Sequence, residues 1–163
     1  MMPSTRKRIL ITASATLLII GIAAICIYRI NRSVHSMLIL NTGFVNSAPR
    51  KAIMEIERID RTFLNESNYM LCDLLKAGAL VNTQEYVVSD SLLDFVMPYY
   101  KYTNDSLHLA EIYYYKGEIA SSSNFLLEAI EYFTLCTQYN NGMYDPRELN
   151  FYLNNFKGQA YHF

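Results

Sequence analysis

Apolar positions follow two different patterns along the chain. Residues 9–28 carry no charge at all, whereas from residue 49 onward apolar side chains recur every three or four positions among polar ones. The first pattern predicts a helix that is apolar all round, the second a series of helices with one buried stripe each. No segment shows sustained strand alternation, so the expected fold is all-α: an N-terminal transmembrane helix followed by a short α-helical hairpin array.

Local signals divide the second region. Asn46-Ser47-Ala48-Pro49 reads as a helix start, with a capping side chain and a proline in the first turn, followed by Ala52, Ile53, Ile56 and Ile59. Ser67 can cap a helix carrying Leu71, Leu74, Leu75 and Gly78. Ser89-Asp90 predicts the opening of a third helix, with Leu92, Val96 and Tyr99 on one stripe and Leu93 and Tyr100 beside it. Pro98 predicts a kink or an early end there. A fourth helix is expected over residues 106–121 and a fifth over 124–138, with Leu126, Ala129, Ile130, Phe133 and Thr137 in register. Asn140-Asn141-Gly142 breaks the chain. Asp145-Pro146 then starts a sixth helix with Leu149, Tyr152, Leu153, Phe156 and Ala160 facing inward. Before all of these, residues 33–40 and a turn at Asn41-Thr42-Gly43 read as a connection. The expected organisation is therefore an anchor over 1–32, a linker over 33–48 and a helical repeat domain over 49–163.

Twenty apolar residues at 1.5 Å each make about 30 Å of helix, the hydrocarbon thickness of a bilayer. Arg6, Lys7 and Arg8 precede the run, and Arg29 and Arg32 follow it. The small excess of positive charge before the span places the N-terminus in the cytoplasm and the helical domain outside. A cleaved signal peptide competes with this reading, but its apolar region is typically shorter, about 7–15 residues. A lipoprotein anchored through Cys26 is another alternative, weakened by Ile25 standing where a small residue is expected.

Composition changes this picture little. A net charge of −1 gives no electrostatic case for nucleic acid. Fourteen Tyr and eight Phe, without any Trp, suit helix seams or an interaction surface. Cys26, Cys72 and Cys136 are too few and scattered for a disulfide framework or a zinc site, although a Cys72–Cys136 bridge stays open in an oxidising compartment. His35, His108 and His162 lack metal-ligand spacing, and no phosphate loop, GxSxG or CxxC occurs. Asp90-Ser91-Leu92 and Asp105-Ser106-Leu107 match short O-glycosylation sites, but both are ordinary helix caps. No enzymatic activity, cofactor or metal is expected.

Gly78, Gly117 and Gly158 sit inside expected helices at nearly equal separations. Glycine there costs roughly 1 kcal/mol relative to alanine, so each predicts a close helix–helix approach. Around Gly117, the offsets of Tyr113, Gly117, Ala129 and Phe133 resemble the tetratricopeptide repeat (TPR) pattern. Ala120 and Lys116 depart from it, standing where a large aromatic and a leucine are usual, and the closing proline is missing. The stretch from Pro49 to Phe133, just over half of the chain, resembles more narrowly a group of bacterial membrane-anchored envelope TPR proteins. The similarity lies in the short helix of residues 52–60, the Ser-Asp-Ser-Leu-Leu helix of 89–100 and the Tyr-Tyr-Tyr-Lys-Gly helix of 110–117.

That resemblance implies a concave groove lined by the first helix of each hairpin. It would place Glu111, Tyr114, Glu118 and Ser121 there, joined by Tyr152, Asn155, Gln159 and His162 from the last helix. The plain alternative is that these residues face water or a neighbouring helix. Phe151, Leu153, Phe156, Tyr161 and Phe163 surround the last helix, so a following hairpin, another chain or homo-oligomerisation would cover it. The function implied is a membrane-anchored adaptor for a protein or peptide partner; the alternative is a sensory fragment of a TPR-containing signalling regulator.

Overall fold

A computed structural model describes the backbone of residues 4–140 and 142–160, and the side chains of 12–140 and 142–159. Among the described residues there are seven α-helices and no strand: α1 (Ser4–Ser47), α2 (Pro49–Glu57), α3 (Glu66–Asn82), α4 (Tyr86–Tyr102), α5 (Ser106–Ser122), α6 (Leu126–Tyr139) and α7 (Pro146–Ala160). The all-α expectation holds.

Helix α1 is continuous over 44 residues, about 66 Å at 1.5 Å per residue. Its two parts meet different surroundings. Every side chain from residue 12 to 30 is exposed, including Leu17, Leu18, Ile19 and Ile20. Beyond that, Asn31, Leu38, Asn41 and Val45 are buried on one stripe, which packs on α2 and α3. The helix is long and apolar enough to cross a membrane, with a mean hydropathy of 2.0 in its most apolar window. The side chains of Arg6, Lys7 and Arg8 lie outside the described residues.

Two expectations fail in this region. Residues 33–48 do not form a linker, and Asn41-Thr42-Gly43 is not a turn; α1 runs through both. The reason is tertiary. Leu38 and Val45 are completely or almost completely buried, and the Asn82 side-chain amide donates to the Val45 carbonyl at 3.0 Å. That packing outweighs the weak helix preference of Asn, Thr and Gly.

From α3 onward the helices start at positions 66, 86, 106, 126 and 146, a constant interval. The turns after α3, α4 and α5 are built alike. Gln84, Asn104 and Asn124 each hold a left-handed backbone, with φ of 65°, 53° and 61°. In each turn the following residue's N–H reaches back to the helix: Glu85 to Leu80, Asp105 to Tyr100 and Phe125 to Ala120, at 2.8–3.1 Å. This is the Schellman closure, which satisfies the last helical carbonyls. Such a turn normally takes glycine; here Asn twice and Gln once accept the strain.

Each helix packs on its successor, and α1 on α3 and α3 on α5 make additional contacts. The core stripe of α4 is Ser89, Leu93, Val96 and Tyr100. Ser89 therefore does not open α4, which starts at Tyr86. Its hydroxyl is buried and donates to the Ala77 carbonyl at 2.9 Å. Pro98 is exposed and does not end the helix, which continues to Tyr102. The cap of α3 is Asn65 rather than Ser67, its side chain accepting from the Asn68 N–H at 2.9 Å. Asp105 caps α5 as expected, accepting from the His108 N–H. Asp90 instead accepts from Lys116.

Two of the three glycines sit against aromatic rings. A Cβ at Gly78 would lie 2.5 Å from the Tyr115 ring, and one at Gly117 would lie 2.8 Å from the Phe133 ring. The close approach predicted for them is real. Among the described residues, Gly158 has no such neighbour within 4 Å. In α7, Leu149, Leu153 and Phe156 are buried and Tyr152 half-buried, as their spacing predicted. Leu153 and Phe156 therefore do not belong to an exposed face, and Phe151 keeps 67% exposure. Tyr161, His162 and Phe163 lie outside the described residues.

Candidate functional site

The ends of α1 and α3 meet the middle of α5 and the start of α7 around a cavity of about 320 Å³. Asn46 comes from α1, Val81 and Asn82 from α3, and Tyr114, Tyr115 and Glu118 from α5. Tyr144, in the connection before α7, and Glu148, in its first turn, close the far side. Residues distant in sequence converge because α3, α5 and α7 are alternate helices of the evenly spaced series. Such a volume is at the small end for a ligand cleft.

Tyrosines build one wall. Tyr114 stacks on Tyr144, with ring centroids 4.4 Å apart and planes 12° from parallel. Behind them, Phe133 stacks on Tyr152 at 5.5 Å and on Phe156 at 5.7 Å. Tyr144 is held in place at its backbone, which exchanges two hydrogen bonds with the Asn140 side chain at 2.9 and 3.1 Å. Burial, followed by nearby carboxylates, pushes the phenols of Tyr114 and Tyr144 well above their ordinary range. Both act as neutral hydroxyls.

Carboxylates provide the charge. Glu118 is half-buried, and its acidity is weakened first by desolvation and then by the neighbouring charge of Glu148. Two carboxylates facing a partly dry space with no basic residue in the lining produce a negative potential. Chemically, the cavity suits recognition of a positively charged or hydrogen-bond-donating group.

Of the residues expected in a groove, Tyr114 and Glu118 are brought together here. Glu111 is not at the surface. It is 7% exposed, accepts a hydrogen bond from the Tyr115 hydroxyl at 3.2 Å, and burial raises its carboxyl's affinity for a proton. Ser121 is half-buried one turn beyond the cavity. Tyr152 is committed to the Phe133 stack, while Asn155 and Gln159 are exposed and bond to each other at 3.3 Å. Tyr144, Glu148, Asn82 and Asn46 were missed. Only the even spacing of helix starts could have aligned α3 with α5 and α7 and revealed them.

A second cavity, of about 330 Å³, lies between α4, α5 and α6. Here Lys116 is 5% exposed, with its ammonium 2.7 Å from both Asp90 and Asp94 and 5.5 Å from the Tyr132 ring centroid. Lys116 thus joins α5 to α4. Its charge is already neutralised, so this cavity offers less to a ligand than the tyrosine-lined one. Cys72 and Cys136 are both free and buried, with thiols pushed up to about 11 and about 12 by desolvation. They behave as apolar fillers, not as a disulfide.

Comparison of the chain with known proteins finds no matching family, no matching curated protein and no matching solved structure.

Proposed function

We propose that this chain is a membrane-anchored, TPR-like scaffold or adaptor that holds a protein or peptide partner at the cell envelope. In this reading α1 spans the bacterial inner membrane and the hairpins stand on its periplasmic side. The observation that carries the proposal is the cavity shared by α1, α3, α5 and α7. A surface assembled from alternate helices is the arrangement in which a hairpin array receives an extended or helical segment.

The tetratricopeptide likeness is supported by Gly117 against Phe133 and by the regular hairpins. The period departs from that family. Alternate helices start at positions 66, 106 and 146, a longer repeat than the tetratricopeptide unit of about 34 residues. The likeness is therefore one of hairpin geometry with lengthened helices.

The lining favours a partner that places a lysine, an arginine or an amino terminus between Glu118 and Glu148. The test uses tagged full-length protein extracted from its native membranes, comparing Tyr114→Ala and Glu118→Lys with the exposed control Asn155→Ala. Loss of a partner with both groove variants, but not with the control, supports the reading. Equal recovery from all three, with helical content unchanged, contradicts it and leaves Tyr114 and Glu118 as solvated residues.

A further inference from the structure

The point where α1 stops being exposed is also the point where the domain grips it. Ile30 is the last of the continuously exposed apolar residues, and Asn31 is 8% exposed. The Asn31 side-chain amide donates to the Phe63 carbonyl at 2.8 Å, and its oxygen accepts from the Asn65 N–H at 2.7 Å. Asn68, 3% exposed, donates to the Asn31 backbone carbonyl at 2.8 Å. The loop joining α2 to α3 is thus fixed beside Asn31 by part-buried hydrogen bonds, and α1 runs into the domain without a break.

Asn31 lies one helical turn beyond Tyr28, about 4.5 Å further along the helix axis. If the exposed run ends at the bilayer surface, that loop stands at the depth of the lipid headgroups. Phe63, at the centre of the loop, is 55% exposed. A phenyl ring held in that layer has an apolar place to go, which water does not provide. Arg29 and Arg32, both exposed at the same level, meet the headgroups.

We propose that the α2–α3 loop is a second membrane contact, with Phe63 seated in the interfacial layer of the bilayer, so that the domain is held in one orientation with its groove away from the lipid. This inference rests on the reading of α1 as an anchor. The far end of the domain supplies the contrast. Asn82 bonds to Val45 and Asn46, about 21 Å further along α1 than Asn31. Tyr86, just after Asn82, shares a cavity with Phe125.

The chain contains no Trp, so a single introduced indole reports its own depth. Full-length Phe63→Trp, Ile20→Trp and Phe125→Trp are reconstituted in phosphatidylcholine nanodiscs, with or without bromine placed both near the glycerol end and near the methyl end of the acyl chains. The expected result is blue-shifted emission that is mostly lost to bromine at positions 20 and 63, and unquenched emission at position 125. Quenching at 20 but not at 63 overturns the loop contact and leaves the anchor standing. Equal quenching at 63 and 125 also overturns it, because the domain then has no fixed orientation. Absence of quenching at 20 removes the anchor and this inference together.

Discussion

The joint between α1 and α3 and the joint of α6 with α5 and α7 are built from opposite materials. The first is held at its lower end by amides: Asn31, Asn65 and Asn68 are linked to one another, and His35 Nδ1 lies 3.2 Å from the Asn68 side-chain oxygen. The second is held by rings, with Phe133 at the centre of stacked Tyr152 and Phe156 and edge-on to Tyr114. Hydrogen bonds are directional and leave a buried group unsatisfied when the helices slide, so the amide joint fixes one register. Stacked rings tolerate offset, so the aromatic joint sets adhesion more than register. Rigidity is thus concentrated where the domain meets the exposed part of α1, and adaptability beside the tyrosine-lined cavity.

The largest expected effect comes from the aromatic joint. Phe133→Ala removes a completely buried ring and should cost about 3–5 kcal/mol by denaturant titration in detergent. A cost below about 1 kcal/mol would mean that the rings contribute little to holding α6 and α7. On the amide side, Asn68→Leu keeps the branched shape but strips the Asn31 carbonyl of its side-chain donor. Each buried group left unsatisfied costs roughly 1–3 kcal/mol, and the variant should also speed hydrogen exchange at the Asn65 amide. Unchanged exchange would show that the network does not fix the loop.

The glycines give a smaller and sign-changing comparison. Gly78→Ala forces the Tyr115 ring aside and should destabilise by roughly 1–3 kcal/mol, reduced by the gain in helix propensity. Gly158→Ala meets no described residue within 4 Å and should stabilise by up to about 1 kcal/mol. The same sign at both positions would remove the argument from close approach.

Glu111 supplies a pH effect. Its folded carboxyl binds a proton more tightly than the ordinary value of 4.5, because it is desolvated. In the pH window above 4.5 the folded state then holds more protons than the unfolded state, so stability falls as pH rises through that window. Glu111→Gln should flatten that slope, gaining stability at neutral pH and little below 4.5. An unchanged slope of melting temperature against pH would assign the effect to other groups.

Much of the fold is legible locally. Pro49 and Pro146 mark helix starts through proline's fixed φ, and Asp105 through its cap. The capping side chain expected from Asn46 or Ser47 is absent, because both belong to α1 and Ala48 precedes α2. The stripe from Leu126 to Phe133 identifies the buried face of α6. The failures share one cause. Asn41-Thr42-Gly43 looks like a turn until Val45 is seen against α3, and Ser89 looks like a cap until its hydroxyl is seen at Ala77. Both are decided by neighbours that local chemistry does not display. The site was half legible for the same reason. Tyr114 and Glu118 follow from one hairpin, whereas Tyr144, Glu148 and Asn82 require the packing of three.

The most direct test of the account places a photo-crosslinking amino acid at Glu148, in the groove, or at Gln138, exposed on α6, in the full-length protein in its native membrane. The account predicts a discrete adduct from position 148 that disappears with Tyr114→Ala, and none from position 138. Adducts that are absent at 148, or that form equally at both positions, would contradict a partner-binding groove.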